Sequence, residues 1–567
     1  MAPEDSSAKK VSWRRGCGVT SLIGLIFFVG LVLFNLPYGN TTGLKIGPET
    51  TVIEGPILPD GRIDYIDELE RRDREAATCD NNVLAALFPM MDRQYFGSDE
   101  LSQTKYWNAF VEKLGFDAPQ ESSGIQHPRD TLLAKLQDGV VDEAQLEKIS
   151  NDLVWEQQQI ELAWPKGEFQ NWAAELDLLK DTLDKIVAAS TKSVYYHPVV
   201  VSYPGESAIL AILPLASETL RFAELLQLRI FKLVGEQQVE KALSDLKAIR
   251  RFGYKMARGQ TTGEFFLAMK IMKLAHAGEQ AVLNCPTVTA EQLANYRKFM
   301  AKHRLLLLAV NSADRCQRFL LLDLVQSTKV FGFESLPIDF DEAPSFLPDA
   351  FINSSDLSET MRQINRHCDE VVACFGKLSW KKQVQSLENI DKAIRGDRPD
   401  VAGFILRGLT GSKRRGRLLA EYLLTAFSGP AANIPKFQFH CVIQDQVNMT
   451  GFGIQQYRLD RGKFPTDWSE LFAPDFPPEM LTDHWNEQSF AIKETESGFV
   501  VYSKGLDGTD NEGRTQEEVA VSAESDIRIF VGQRPQFEVS SFLDNRIKDR
   551  KNSEMIYQKR AAEASAN

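Results

Sequence analysis

The chain has few of the residues and spacings that carry chemistry. Its 567 residues include only seven cysteines and seven histidines. There is no H-E-x-x-H, no G-x-S-x-G and no phosphate-loop lysine motif, which excludes the commonest zinc-hydrolase, serine-hydrolase and nucleotide-binding signatures. No two of His127, His197, His276, His303, His367, His440 and His484 stand at metal-ligand spacing. Cys79, Cys285, Cys316, Cys368, Cys374 and Cys441 form no C-x-x-C pair and are too sparse for a disulfide framework. Buried thiols, with one or two incidental bridges at most, are the expectation. His367, Cys368 and Asp369 are adjacent on one predicted helix, where neighbours point apart, so no thiol site is expected there. An excess of positive charge is also missing. A net charge of −13 excludes a general nucleic-acid binder and broad adhesion to an anionic membrane surface.

Long apolar runs are equally scarce, and the one that exists organises the chain. Residues 19–36 read VTSLIGLIFFVGLVLFNL and carry no charge. As a helix they would span roughly 27 Å, close to the hydrocarbon thickness of a bilayer. Lys9, Lys10, Arg14 and Arg15 precede the run and no comparable cluster follows it. By the positive-inside rule this predicts a single-pass signal anchor in a bacterial inner membrane, with the N-terminus cytoplasmic and the bulk exported to the periplasm; a cleaved signal peptide is the alternative that the basic start and apolar core also fit. The expected layout is a cytoplasmic tail at 1–18, the transmembrane anchor at 19–36, and a linker with short helices at 37–99. An α-helical domain at 100–430, an α+β domain at 436–535 and a polar tail at 536–567 complete it.

Between 100 and 430 apolar residues recur mostly at three- and four-residue intervals, the mark of amphipathic helices that must stack on one another. Helices are predicted over 66–78, 142–164, 172–189, 217–233, 239–257, 265–283, 290–308, 309–331, 357–375 and 380–394, with Gly235 ending the fourth of these. The segment YYHPVVVSYP at 195–204 reads as extended because of its two prolines. The fold class is therefore mainly α: an N-terminal transmembrane helix, an exported helical array or bundle, and a small C-terminal α+β domain with antiparallel sheet. The 60–69 segment DGRIDYIDEL and the two-helix run around 220–285 resemble uncharacterised membrane-anchored proteins of planctomycete-type bacteria, a resemblance that implies no activity.

Residues 437–532 change character. A helical lead-in meets YRLDRGKFPTDWSEL, then a proline-rich loop, then Asp483-His484-Trp485-Asn486. A hairpin over 489–503, the run GLDGTDNEG at 505–513 and a last strand at 526–531 follow. This order resembles the globular half of the major pseudopilin of type II secretion systems. The matching residues are Tyr457 to Asp460 with Gly462, Phe464 and Pro465; Asp483, Trp485 and Asn486; Tyr502 to Gly505 with Asp507 and Gly508; and Asp526 with Ile527. The resemblance implies a calcium ion in the late loop, with Asp507, Asp510 and Asp526 as its ligands. Calcium takes about six to eight hard oxygens, which carboxylates and carbonyls of a Gly-rich turn can supply. From the residues alone, GLDGTDNEG reads equally well as an acidic surface turn. Two features depart from the family: the apolar run lies far upstream of the module, and Gly451 and Gly453 interrupt the lead-in helix at about 1 kcal/mol each.

The functional expectation is a non-catalytic protein-interaction scaffold in the envelope, with protein partners there and no nucleic acid. The alternatives are an envelope hydrolase whose site is assembled from distant residues, or a polysaccharide binder using Trp468 and Trp485. The basic patch of Lys413, Arg414, Arg415 and Arg417 reads as a solvated helix start.

Overall fold

The computed structural model describes residues 44–97, 99–115, 170–201, 213–304, 308–331, 351–376, 379–396, 411–427, 433–471, 481–495, 498–506, 508–510 and 527–532, with seven isolated positions from 25 to 164. The chain is mainly helical, with small antiparallel sheets near its C-terminus. No helix among the described residues is long and apolar enough to cross a membrane. The apolar run at 19–36, apart from Leu25 and Val29, lies outside them, as do the helix expected over 142–164, apart from Trp164, and the polar tail.

The helices are α1 (Tyr65–Ala76), α2 (Val83–Leu87), α3 (Glu100–Leu114), α4 (Gln170–Leu178), α5 (Lys180–Ser190), α6 (Pro214–Gly235), α7 (Val239–Met256), α8 (Thr262–Leu283) and α9 (Ala290–Lys302). After them come α10 (Leu308–Asn311), a π-helical turn at Ser312–Gln317, α11 (Arg318–Phe331), α12 (Leu357–Cys374), α13 (Trp380–Gly396), α14 (Ser412–Phe427) and α15 (Asn433–Arg461). Their starts follow side-chain chemistry. Asp64, Asn82, Asp99 and Asp356 each accept a first-turn backbone N–H. Thr261 with Glu264, and Thr289 with Gln292, form reciprocal capping boxes at α8 and α9.

Among the described residues two large apolar cores result. The larger joins α2 to α9 with α13, α15 and the sheet; the smaller joins α1, α11, α12 and α14. The chain passes between them through the π-helical turn, with Ala313 in the first core and Phe319 in the second.

One expectation about glycine holds and another is corrected by packing. Gly235 does end α6, but the left-handed residue is Gln237 at φ 62°, and a Cβ on Gly235 would stand 1.9 Å from the Trp164 carbonyl oxygen. The glycine is there for close approach of that carbonyl. Likewise α15 runs unbroken through Gly451 and Gly453. A Cβ on Gly451 would meet Ile529 at 2.7 Å, so the missing side chain admits the sheet onto the helix. The loss of helix propensity is local, whereas the contact it permits is tertiary.

The sheet has strands β3 (Ala491–Thr495), β4 (Gly498–Ser503) and β5 (Ile527–Gly532) in that order, all antiparallel, beside a small pair β1 (Thr482–Asp483) and β2 (Gln488–Ser489). Val501, Ile527, Ile529 and Val531 face the large core, while Val500, Tyr502 and Phe530 form a separate cluster on the other face, as the two-residue period requires. The free edge of β5 is closed by side chains. Gln280 donates to the Phe530 carbonyl at 2.9 Å and accepts its N–H at 2.8 Å, and Asn284 accepts the Gly532 N–H at 3.0 Å. These amides stand in for a fourth strand.

At the centre of the large core lies a charge network. Arg250 on α7 and Glu279 on α8 form an ion pair with both side chains fully buried. Arg250 also binds Asp445 of α15 at 2.7 Å, and His276 of α8 contacts the same carboxylate oxygen at 2.7 Å. Tyr296 of α9 donates to Glu279 at 2.7 Å, and Asn448 of α15 at 2.6 Å. Burial would raise the Asp445 carboxyl, but the Arg250 charge and the His276 contact hold it below its ordinary range. Asp445→Asn should therefore destabilise the protein by about 3–5 kcal/mol, because the buried guanidinium loses a charge partner. Chemical denaturation checks this, and a loss under about 1 kcal/mol would contradict it.

Candidate functional site

Five of the residues that mark the C-terminal segment, Asp483, Trp485, Asn486, Ser503 and Gly505, converge on one turn. Asp483, which is buried, accepts from the Trp485 N–H at 2.9 Å and the Asn486 N–H at 3.2 Å through one oxygen. Its other oxygen accepts from the Asn486 amide at 2.8 Å and the Ser503 hydroxyl at 2.6 Å. The turn is tied onward to the late loop: Asn486 donates to the Gly505 carbonyl at 3.2 Å and the Trp485 indole donates to the Leu506 carbonyl at 2.9 Å. Ser503 accepts the Gly505 N–H at 3.2 Å, and Gly505 and Gly508 adopt φ of 64° and 72°, which favour glycine. One carboxylate thus organises a β1–β2 hairpin, the end of β4 and the start of the loop.

The aromatic residues serve this packing. Trp485 is 4% exposed and lies against Phe439, which stacks on Trp380 with centroids 4.4 Å apart. Trp485 is therefore not the exposed sugar platform that the polysaccharide reading requires. Trp468, half-buried, packs edge-on against Phe499.

Of the three expected calcium ligands, Asp507 and Asp526 lie outside the described residues. Asp510 is exposed, accepts from the Tyr502 hydroxyl at 3.2 Å and pairs with the Lys504 ammonium at 3.4 Å. A cation at Asp510 would share the carboxylate with this ammonium, which competes for its charge. The Gly505 and Leu506 carbonyls each accept one hydrogen bond from the turn and keep a second lone pair. Among the described residues no group of three acidic, histidine or cysteine side chains converges.

Elsewhere, His367 and Cys368 are buried, the Cys368 thiol is pushed up to about 12 by burial, and Asp369 is bound to Arg318 at 2.8 Å. That thiol is not activated. The six cysteines from Cys79 onward are free thiols. Lys413, Arg414 and Arg417 line a cleft of about 620 Å³ beside the start of α14, together with Glu421. Arg415 instead turns inward and binds the Ser354 carbonyl at 2.8 Å.

Sequence reasoning missed the Arg250 network and the buried acid Glu264. The only local signal was the T-x-x-E of the capping box. No protein-family model, curated protein or solved structure matches the chain.

Because Asp483 serves four donors from a buried position, Asp483→Ala should cost about 2–4 kcal/mol and disturb the Trp485 environment. Near-UV circular dichroism and thermal unfolding test this. An unchanged aromatic spectrum would show that the turn does not depend on the carboxylate.

Proposed function

We propose that the chain is a single-pass, membrane-anchored envelope protein whose exported helical body acts as a non-catalytic protein-interaction scaffold, with a pseudopilin-like α+β module at its C-terminal end. The observation that supports this reading is the Asp483 network: Asp483, Trp485 and Asn486 share one hydrogen-bonded turn with Ser503 and Gly505, two of the matching stretches that lie about 20 residues apart in sequence. Helix α15, the module's lead-in, is buried along most of its length against α8 and α9, so whatever docks on the module is held rigidly to the helical body. Calcium belongs to the same proposal. Asp510, with Asp507 and Asp526, would hold the ion, which would supply fixed positive charge to an acidic loop.

Two measurements test it. In the purified full chain, 1 mM calcium should raise the unfolding midpoint by about 2–4 °C over chelator if the site binds at micromolar affinity, and Asp510→Asn should lose the shift. Identical midpoints in calcium and chelator would remove the metal from the proposal. For topology, among the described cysteines Cys79 is exposed and Cys374 half-buried, whereas Cys285, Cys316, Cys368 and Cys441 are buried, so the label is read with Cys17 and Cys374 replaced by serine. A membrane-impermeant maleimide should label Cys79 in cells whose outer membrane is permeabilised and whose inner membrane is intact. Labelling only after inner-membrane lysis would overturn the exported orientation.

A further inference from the structure

Glu264 sits in the first turn of α8 with no exposed surface. Its two oxygens are in unequal positions. Oε2 accepts the Gln260 N–H at 2.9 Å, the Thr261 N–H at 3.0 Å and the Thr261 hydroxyl at 3.0 Å. Oε1 is buried and has no hydrogen-bond partner among the described residues. Gly259 permits this placement, since a Cβ there would stand 2.7 Å from Oε1.

Among the described residues the surroundings give Oε1 no compensating charge. Helix α1 presents Arg72 and Asp73, but the guanidinium is bound to Asp73 at 2.8 Å. The π-helical turn presents Arg315, which is bound to the Glu68 carbonyl at 2.9 Å, and Cys316, whose thiol faces the Gly259 carbonyl at 3.8 Å. The extended 195–201 segment presents Tyr195, whose buried hydroxyl also has no partner among the described residues. An ionised Oε1 would be a desolvated charge without a donor, whereas a proton on it leaves the Oε2 capping bonds intact. Consistently, burial pushes the Glu264 carboxyl up to about 7, with Asp73 adding to the rise.

Three elements meet at this point: α1, the start of α8 and the π-helical turn that carries the chain between the two cores. π-Helical turns are rare and are found frequently at functional sites. We infer that Glu264 is a proton-operated latch: neutral on Oε1 it can stay dry at the seam that the Gln260–Asp73 and Cys316–Gly259 contacts close, and loss of the proton draws water to Oε1 and loosens that junction while the capping box keeps α8 started.

The sign follows from linkage. A carboxyl raised in the folded state contributes stability that is complete below its ordinary value near 4.5 and is lost as pH rises through about 7. Hydrogen exchange of the full chain, corrected for intrinsic rates, should show protection of 65–76 and 312–318 falling at least tenfold between pH 5 and 8. Glu264→Gln should be flat over the same range, because glutamine closes the equivalent box at Thr289 and Gln292. Protection that does not change with pH in the wild type, or a Glu264→Gln profile that follows the wild type, would overturn the inference. Should Glu264→Gln fail to fold, Asp73→Asn decides. It removes a neighbouring charge outside the box, and the midpoint must move to lower pH; an unmoved midpoint overturns the latch.

Discussion

The Arg250–Glu279 ion pair, with Asp445 as its second anion, is the constraint around which the large core is arranged. Neither side chain of the pair reaches water. Two carboxylates and a guanidinium can be buried together only if their geometry is fixed by further hydrogen bonds. Tyr296, Asn448 and His276 supply those bonds from three helices. The network therefore specifies which faces of α7, α8, α9 and α15 meet. An arrangement of these helices that separated Arg250 from both carboxylates would leave buried charges unpaired, at a cost of about 3–5 kcal/mol for each broken pair.

The same logic recurs in neutral form. Gln280 pairs with both backbone groups of Phe530, Gln326 with both of Ile63, and Asn82 with both of Tyr196. In each case a side-chain amide on or capping a helix acts as a one-residue strand for an extended segment that would otherwise bury unpaired N–H and C=O groups. A mainly helical protein with little sheet can in this way seat extended chain against helices. The β5 edge, the 195–201 segment and the stretch entering α1 are all anchored so.

Much of the helical architecture was legible, because a 3.6-residue apolar period is a local signal and the caps at Asp64, Thr261, Thr289 and Asp356 are spelled beside it. The hairpin and the last strand were legible through their period of two. What escaped was non-local. Asp445 lies 195 residues from Arg250, and nothing in its neighbourhood separates it from a surface aspartate. Gly451 reads as a helix fault until Ile529 is seen to occupy the vacant volume. The π-helical turn is hidden in a run whose apolar spacing suits an ordinary helix. Trp485 looked available as a binding platform because a polar turn surrounds it in sequence, yet its ring is the packing that the turn encloses. Asp483 was picked out by resemblance alone; its role in holding the turn came only from the geometry.

Asp445 and Glu264 show how environment decides the behaviour of two equally buried carboxylates. Asp445 has a guanidinium and an imidazole against it, and these outweigh desolvation, so its charged form is the stable one. Glu264 has three hydrogen-bond donors on one oxygen and none on the other, and desolvation wins. The consequences for stability run in opposite directions. The contribution of Asp445 is present above its ordinary range near 3.8 and fades as acid brings the pH toward about 2. That of Glu264 is present at acid pH and fades toward neutrality. Between them these two groups favour the fold most at mildly acidic pH, and they act at different places. Acid attacks the centre of the large core, which unfolds as a whole, whereas base acts first at the junction where α1 meets the helical body. A local opening there leaves the charge network, the sheet and the Asp483 turn intact, so the fold can respond to pH at one seam without losing the core that holds its C-terminal module.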